Sequence, residues 1–191
     1  AKAGAKALIT AETFKTSNYL EMLQDLAPEL TSCRPGQLAA ARLPSLKSVI
    51  HMGNDEVDGM FRFKDIVMQD NAGQRARLDA IGRMLSAVDA INLQFTSGTT
   101  GSPKAATLTH RNVVNNARFV ANSMRLNHKD RLCIPVPLYH CFGMVLGNLA
   151  CVSTGSTMVF PGEGFDPLQT LQTMHQERCT GVHGVPTMFN A

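Results

Sequence analysis

The chain has 191 residues, enough for one sizeable hydrophobic core and at most a second small lobe. Its formal net charge of +3 comes from scattered Lys and Arg, and only 6% of its residues are aromatic. This composition argues against a nucleic-acid partner, because such partners select clustered positive charge or aromatic stacking platforms.

The five Cys residues are odd in number and form no C-x-x-C pair, which argues against a disulfide framework and a zinc site. No apolar run reaches the roughly 18 residues of a membrane-spanning helix, and the first residues lack a signal-peptide pattern. The sequence therefore predicts a chain without a transmembrane segment in a reducing compartment. We expect the cytoplasm, with the mitochondrial matrix as the alternative.

The first ninety residues predict one β-α unit followed by a strand and a helix. Residues 5–10 are expected to form a short buried strand, and the helix after it ends before Pro28. A second strand is predicted over residues 46–52. A helix follows over residues 74–86, with Leu78, Ile81, Met84 and Leu85 on one face.

From residue 91 onward the alternation is clearer. Ile91, Leu93 and Phe95 alternate with polar residues and predict a strand, which ends at a run of Thr, Ser and Gly. A helix capped by Thr109 is predicted after that run. A strand at 132–136, a buried helix at 142–152 and a strand at 157–160 are expected next. Asp166 and Pro167 then open a helix with Leu168, Leu171 and Met174 on its inner face, before a last strand at 181–185.

This repeated alternation predicts an α/β fold with a mostly parallel sheet flanked by helices. We expect a leading α/β segment over residues 1–90 and a second segment over residues 91–191 that carries the polar loop. In such sheets ligands bind beyond the carboxyl ends of the strands. The strand that ends at Phe95 therefore predicts a ligand site in the loop that follows it.

The loop from Thr96 to Lys104 combines hydroxyls, glycines and one ammonium group. Glycines let backbone N–H groups approach a ligand, hydroxyls donate hydrogen bonds, and the start of the next helix is expected to add positive potential. The predicted phosphate-binding residues are Thr96, Ser97, Gly98, Thr99, Thr100, Gly101, Ser102 and Lys104. The spacing is not that of a Walker A loop, so a solvated polar surface loop remains open as the alternative.

The sequence Thr96-Ser97-Gly98-Thr99-Thr100-Gly101-Ser102-Pro103-Lys104 resembles the nucleotide-phosphate loop of the AMP-forming acyl-CoA synthetase superfamily. Residues 137–143 are similar to its Pro-x-x-His-x-x-Gly segment, and residues 184–189 to its Gly-Val-Pro-Thr stretch. Residues 109–116 and 139–141 look closest to the fatty-acyl branch. The chain is thus identified as a member of this superfamily.

The resemblance implies a fold belonging to a larger adenylate-forming N-terminal domain and a ligase reaction in two steps. A fatty acid reacts with ATP, carrying Mg²⁺ on its phosphates, to give acyl-AMP and pyrophosphate, and coenzyme A then takes the acyl group. The resemblance also implies that Lys104 and His140 are catalytic. The remaining histidines show no metal-ligand spacing, so no residue is predicted to bind a metal. His140 as a structural residue at a strand end, and His183 as pocket lining or core, remain open readings.

Two departures from the family pattern accompany this resemblance. Ala105 stands where the family has Gly, which implies either ordinary backbone geometry or some strain at this position. The adenine, ribose and C-terminal lid motifs of the family are not found in the chain. We therefore expect a portion of the N-terminal AMP-binding domain that lacks its lid and the remainder of the enzyme and is inactive alone.

Two other function classes remain open at this point. One is another nucleotide-binding protein, such as an ATPase or a kinase, and the other is a non-catalytic interaction module. A kinase needs carboxylates to hold magnesium, yet residues 90–129 contain no Asp or Glu. This absence counts against the kinase reading.

Overall fold

A computed structural model describes residues 3–68, 71–96 and 103–191 of the chain. The chain divides into two compact units, Ala1–Met84 and Leu85–Ala191. Each unit has buried apolar clusters of its own. In the described residues, no helix combines the length and hydrophobicity needed to cross a bilayer.

The first unit is built around a small parallel sheet. The strands of this unit are β1 (Ala7–Thr10), β2 (Thr13–Phe14), β3 (Ser17–Asn18), β4 (Ser48–His51) and β5 (Met60–Arg62). Its helices are α1 (Tyr19–Leu26), a 3-10 helix (Pro28–Thr31), α2 (Phe63–Val67) and α3 (Ala72–Met84). β1, β4 and β5 pair in parallel with β4 in the centre, whereas β2 and β3 form an antiparallel pair.

The core of the first unit lies between α1 and the central strand. Leu23 of α1 is buried, and Val49 of β4 is fully buried beside the apolar residues of the long connection between them. The predicted strands near residues 5–10 and 46–52 are confirmed at shorter length. β1 is nevertheless an edge strand with Leu8 and Ile9 exposed, so the expectation that it is buried is wrong.

Helix α3 forms where the periodicity predicts it, and its apolar face is exposed. Leu78, Ile81, Met84 and Leu85 are all solvent-accessible, and no residue of α3 is buried. The core of this unit is built from α1, the 3-10 helix, β4, β5 and loop residues instead. Periodicity identifies an apolar face correctly, and here no residue of the unit's core covers it.

The second unit combines another parallel sheet with an antiparallel hairpin. Its strands are β6 (Ala90–Thr96), β7 (Lys104–Thr109), β8 (Arg131–Cys133), β9 (Thr157–Val159) and β10 (Gly181–Val182). Its helices are α4 (His110–Ser123), a π-helix (Phe142–Leu149), α5 (Ala150–Thr154), α6 (Pro167–Gln176) and a 3-10 helix (Pro186–Asn190). β10, β8 and β9 pair in parallel with β8 in the centre, and β6 pairs with β7.

Two apolar clusters hold the second unit together. One surrounds β8 and the segment that follows it, where Leu132, Ile134 and Val136 are buried. The other joins Val113 and Ala117 of α4 to Val145 of the π-helix. The burial of the predicted strand 132–136 and of the predicted helix after residue 142 is thus confirmed, and the helical segment is closed by Gly155 at φ 73°.

The capping residues predicted for two helices of this unit are in place. Thr109 Oγ1 accepts from the Asn112 amide at 3.2 Å and begins α4. Asp166 Oδ1 accepts from the Gln169 amide at 2.7 Å and begins α6. In α6, however, Leu168 and Leu171 are exposed and Thr170 is buried, so the predicted inner face of this helix is wrong.

The parallel α/β fold predicted from the sequence is confirmed, with its parallel strands divided between two three-stranded sheets. One expected connection is wrong. The polar loop does not lead directly into a helix, because β7 lies between them and pairs with β6 over six residue pairs. The sequence of β7, KAATLT, consists mostly of small and β-branched residues, which suit a paired strand. Leu108 is its one large apolar residue, so no alternation of large apolar residues marks the strand in the sequence.

Candidate functional site

The predicted phosphate loop connects β6 to β7, the two strands of an antiparallel hairpin. Thr96, the last residue of β6, is the Cα partner of Lys104, the first residue of β7. Both side chains are exposed. The other predicted binding residues, Ser97, Gly98, Thr99, Thr100, Gly101 and Ser102, lie outside the described residues.

Among the residues that the structure describes, no carboxylate forms an ion pair with the ammonium group of Lys104. The ion pair described in the second unit joins Arg131 and Glu177. Residues 90–129 contain no Asp or Glu that could neutralise the charge locally. An exposed ammonium without a local counter-charge is suited to meet an anionic ligand.

The hairpin separates the ammonium group of Lys104 from the N-terminus of α4. Thr109 at the far end of β7 pairs with Ala90, whereas Lys104 pairs with Thr96 at the loop end. At about 3.3 Å per strand residue, five residues separate Lys104 from Thr109 by roughly 16 Å. The N-terminus of α4 therefore lies at the other end of the hairpin, and the expectation that it adds to a cradle with Lys104 is wrong.

Ala105 has ordinary strand geometry. It lies within β7 opposite Phe95, and the described non-glycine residues with positive φ are Lys15, Arg125 and Arg178. Of the two alternatives that the sequence leaves open for this position, the unstrained one holds. A methyl group in place of the family's glycine costs no backbone strain here.

His140 lies in a tight turn that precedes the π-helix. Its backbone N–H donates to the Pro137 carbonyl at 3.3 Å, and its side-chain Nδ1 accepts from the Phe142 backbone N–H at 3.1 Å. Because a backbone N–H can only donate, Nδ1 carries no proton in this bond, and the proton of the neutral ring is on Nε2. The side chain is exposed, so its Nε2–H is available to a ligand.

A side-chain hydrogen bond joins the hairpin to the His140 turn. Gln94 Nε2 in β6 donates to the Tyr139 carbonyl oxygen at 3.1 Å. Gln94 lies two residues before Thr96, and Tyr139 lies directly before His140. The two predicted site segments are therefore physically coupled, although they are far apart in sequence.

The residues around His140 divide between packing and exposure. Cys141 and Met144 pack against the cluster of α4 and the π-helix, and Phe142 packs against the cluster beside β8. Tyr139 is 75% exposed. Three of these four side chains are therefore engaged in core packing, and Tyr139 remains open to solvent.

Two further residues shape this turn, and the sequence did not single them out for this role. Gly143 is buried against the turn, and a Cβ built there would lie 2.4 Å from the Pro137 carbonyl oxygen. His183 is 7% exposed, and its Nε2 lies 2.9 Å from the Leu146 carbonyl oxygen of the π-helix. Gly143 is the last residue of the predicted Pro-x-x-His-x-x-Gly segment, which is the sequence signal that marks it.

The described part of the site contains no cluster of potential metal ligands. Within residues 3–68, 71–96 and 103–191, no three His, Cys, Asp or Glu side chains come together to hold a cation. The hairpin supplies hydroxyl and ammonium groups rather than carboxylates. The arrangement is thus suited to an anion rather than to a bare divalent cation.

The same α/β fold is found in solved structures of CoA ligases. The anthranilate CoA ligase AuaEII in complex with anthranoyl-AMP superposes with a TM-score of 0.73 at 21% identity, over 97% of this chain and 32% of that one. The N-terminal domain of FACL13 from Mycobacterium tuberculosis gives a TM-score of 0.64 at 17% identity, over 98% of this chain and 39% of that one. The chain therefore shares the fold of these two proteins.

The chain belongs to the family of AMP-binding enzymes, whose family model matches residues 1–191. It is 46% identical over 187 residues to YngI, a candidate acyl-CoA synthetase of Bacillus subtilis (strain 168), covering 98% of this chain and 34% of YngI. It is 40% identical over 190 residues to the mitochondrial medium-chain acyl-CoA ligase ACSF2 of Danio rerio, covering 98% of this chain and 31% of that protein. The human ACSF2 is 38% identical over 193 residues, with the same coverage.

The similarity to these relatives extends along nearly the whole chain, so both structural units take part in it. The chain nevertheless spans only about a third of the length of the curated relatives it matches. The comparisons establish the family, and the activity of a whole enzyme is a separate question.

Proposed function

We propose that this chain supplies the ATP-phosphate site of an AMP-forming acyl-CoA synthetase that activates a fatty acid. The observation that carries the proposal is the family match over residues 1–191, together with relatives named acyl-CoA ligases. The exposed Lys104 beside a hydroxyl-rich loop supports the phosphate site. The hydrogen bond between Gln94 and Tyr139 supports a single site that includes His140.

The proposed reaction has two steps. A carboxylate oxygen of the fatty acid attacks the α-phosphorus of ATP, the bond to the β-phosphate oxygen breaks, and pyrophosphate leaves. The thiol sulfur of coenzyme A then attacks the acyl carbon of the acyl-AMP, AMP leaves with the electron pair, and the thiol proton passes to solvent. The products are acyl-CoA, AMP and pyrophosphate.

In this proposal Lys104 and the loop bind the β- and γ-phosphates. Negative charge builds on the β-phosphate as pyrophosphate departs, and an ammonium group that is already in position stabilises that charge without reorganisation. The hydroxyls and backbone amides of Thr96 and residues 97–102 supply the remaining donors. The absence of local carboxylates keeps the potential of this loop positive.

His140 is proposed to act at the other end of the reacting groups. Its Nδ1 is occupied by the Phe142 amide, so the neutral ring can present an Nε2–H donor. Such a donor would hydrogen-bond to an oxygen of the α-phosphate or the attacking carboxylate as charge shifts between them. This role is one of orientation and charge stabilisation, with no proton removed by His140.

Magnesium is expected to arrive as part of the ATP substrate. No cluster of potential ligands is present in the described residues, and the loop's residues stabilise the nucleotide's phosphates rather than a free cation. Coenzyme A is the proposed second substrate. Since the chain spans about a third of its relatives, we expect the 191-residue chain alone to bind ATP phosphates without forming acyl-adenylate.

We further propose that residues 1–90 act as a leading scaffold and that residues 91–191 carry the phosphate loop. The cytoplasm is the proposed compartment, with the mitochondrial matrix as the alternative that the naming of the ACSF2 relatives supports. Localisation of the tagged full-length gene product by fluorescence microscopy separates the two compartments.

The proposed function is tested by phosphate release from the full-length gene product. We expect pyrophosphate release from ATP only when a fatty acid is present, followed by acyl-CoA formation when coenzyme A is added. Release of orthophosphate without a fatty acid would instead identify an ATPase, and no release under either condition would identify a non-catalytic module.

Two lysine variants sharpen this assay. Lys104→Ala is expected to lower the rate of pyrophosphate release by about 10² to 10³, the usual cost of removing one stabilising group for developing charge. Lys129→Ala removes another exposed lysine of the same unit, outside the hairpin, and should leave the rate unchanged.

A further inference from the structure

We propose that His183 is a positioning residue for His140, an inference that rests on the proposed function of His140. His183 follows β10 and is separated from His140 by 43 residues, yet it contacts the helix that begins just after His140. The proposal concerns a chain of contacts that runs from His183 through the π-helix to the His140 ring.

The backbone of His183 is fixed to the central strand. Its N–H donates to the Cys133 carbonyl oxygen at 3.0 Å, continuing the parallel pairing of β10 with β8. Cys133 is fully buried. The backbone of His183 is therefore anchored to the buried central strand of the second unit.

The side chain of His183 makes two contacts with the π-helix. Its Nε2 lies 2.9 Å from the Leu146 carbonyl oxygen, and since a carbonyl can only accept, Nε2 is the protonated nitrogen. Its ring also meets the Phe142 ring edge-on, with centroids 5.0 Å apart and an interplanar angle of 60°. Because His183 is 7% exposed, neither contact competes with bulk water.

Phe142 connects His183 to His140, because it contacts the side chains of both residues. Its backbone N–H donates to His140 Nδ1 at 3.1 Å, which puts the proton of the neutral His140 ring on Nε2. A shift of Phe142 away from this position would release Nδ1 and allow the other tautomer. His183 thus holds the residue that selects the tautomer required for donation to a substrate.

The segment that His183 contacts, Phe142–Leu149, is π-helical. π-helical turns are uncommon and tend to occur at functional sites, and eight residues from Phe142 to Leu149 adopt this form here. The donor from His183 to Leu146 and the ring contact at Phe142 hold the beginning and the middle of that segment. A side chain that only filled space would supply the ring contact but not the donor.

Two substitutions separate the donor from simple packing. His183→Phe keeps an aromatic ring against Phe142 and loses the donor to Leu146, whereas His183→Gln loses the ring and keeps an N–H donor. The readout in the 191-residue chain is the tautomer of His140, measured from its side-chain ¹⁵N shifts in two-bond ¹H–¹⁵N spectra. We expect the Nε2–H tautomer in the wild type, a mixture in His183→Phe, and partial recovery in His183→Gln.

An unchanged His140 tautomer in folded His183→Phe would overturn the proposal. If that variant does not fold, Phe142→Leu leaves the imidazole of His183 in place and removes its ring contact with Phe142. An unchanged His140 tautomer in this variant would equally overturn the proposal that His183 acts on His140 through Phe142. In the full-length gene product we expect His183→Phe to lower kcat about tenfold with little change in the KM for ATP. If the tautomer responds but the gene product releases no pyrophosphate, the proposed function fails while the positioning role stands.

Discussion

The side-chain amide of Gln94 donates to the carbonyl oxygen of Tyr139 at 3.1 Å across 45 residues of sequence. This bond connects the strand that enters the phosphate loop with the turn that carries His140. Since both partners lie within two residues of a predicted site residue, the bond sets how far apart Thr96 and His140 can move.

Loss of this bond is expected to reduce catalysis more than stability. In the full-length gene product, Gln94→Leu should lower kcat/KM for the fatty acid about fivefold, in line with the roughly 1 kcal/mol that a neutral hydrogen bond contributes. The measurement is fatty-acid-dependent pyrophosphate release. Gln176→Leu, a matched change at an exposed amide at the end of α6, should have no effect. Equal rates for the two variants would contradict a coupling role for Gln94.

The start of α4 depends on a reciprocal cap. Thr109 Oγ1 accepts from the Asn112 amide at 3.2 Å, and Asn112 Oδ1 accepts from the Thr109 amide at 3.0 Å. Thr109→Ala should therefore lower the free energy of unfolding by about 1 kcal/mol, measured by urea denaturation followed by circular dichroism. Asn115→Ala, an exposed change inside the same helix, should be neutral or slightly stabilising. A Thr109→Ala variant as stable as the wild type would argue against the cap.

Gly143 and Gly82 make opposite predictions for the same substitution. A Cβ on Gly143 would meet the Pro137 carbonyl oxygen at 2.4 Å, so Gly143→Ala should lower the free energy of unfolding by about 1–3 kcal/mol as the turn is forced open. A Cβ on Gly82 in α3 meets nothing within 4 Å, so Gly82→Ala should raise it by about 0.5–1 kcal/mol. Thermal or urea unfolding measures both. Destabilisation by both variants, or by neither, would be inconsistent with the packing of this turn.

The buried thiol of Cys133 predicts a loss of stability in alkali. Burial raises the pKa of Cys133 to about 11 from its ordinary value of 9.0. Below pH 9 the thiol is protonated in the folded and the unfolded chain, so its ionisation does not lower the free energy of unfolding. Between pH 9 and 11 the unfolded chain releases this proton while the folded chain retains it, so the free energy of unfolding falls as pH rises.

Urea denaturation at pH 8 and pH 10.5 checks this prediction. The wild type should lose more stability between the two pH values than Cys133→Ala does, because the variant lacks this titrating group. The comparison between the two proteins cancels the titration of lysines and tyrosines that they share. Parallel losses in both proteins would mean that Cys133 does not contribute.

Much of the fold could be predicted from local patterns. Alternation located β6 and the strand segment around Leu132, and cap residues located the starts of α4 and α6. β7 was missed because its small residues carry little periodic signal. The inner face of α6 was predicted wrongly, and the apolar face of α3 is exposed, because a sequence shows which face is apolar but not whether the unit's own core covers it.

The site was predictable as residue types but not as geometry. Motif order was enough to single out Lys104 and His140, and their roles remain predictions. The partners that fix their surroundings are distant in sequence, since Gln94 reaches Tyr139 across 45 residues and His183 reaches Leu146 across 37. Such pairings depend on how strands and helices pack against one another. Local sequence patterns therefore do not predict them.

The central claim is that the loop end of the β6–β7 hairpin binds nucleotide phosphates through Lys104. Titration of the ¹⁵N-labelled chain with ATP, followed by amide ¹H–¹⁵N spectra, tests it most directly, with Lys104→Ala and Lys129→Ala measured in parallel. We predict shifts concentrated at residues 96–104 that are lost in Lys104→Ala and retained in Lys129→Ala. Shifts located elsewhere, or a response at the loop that survives Lys104→Ala, would contradict the claim.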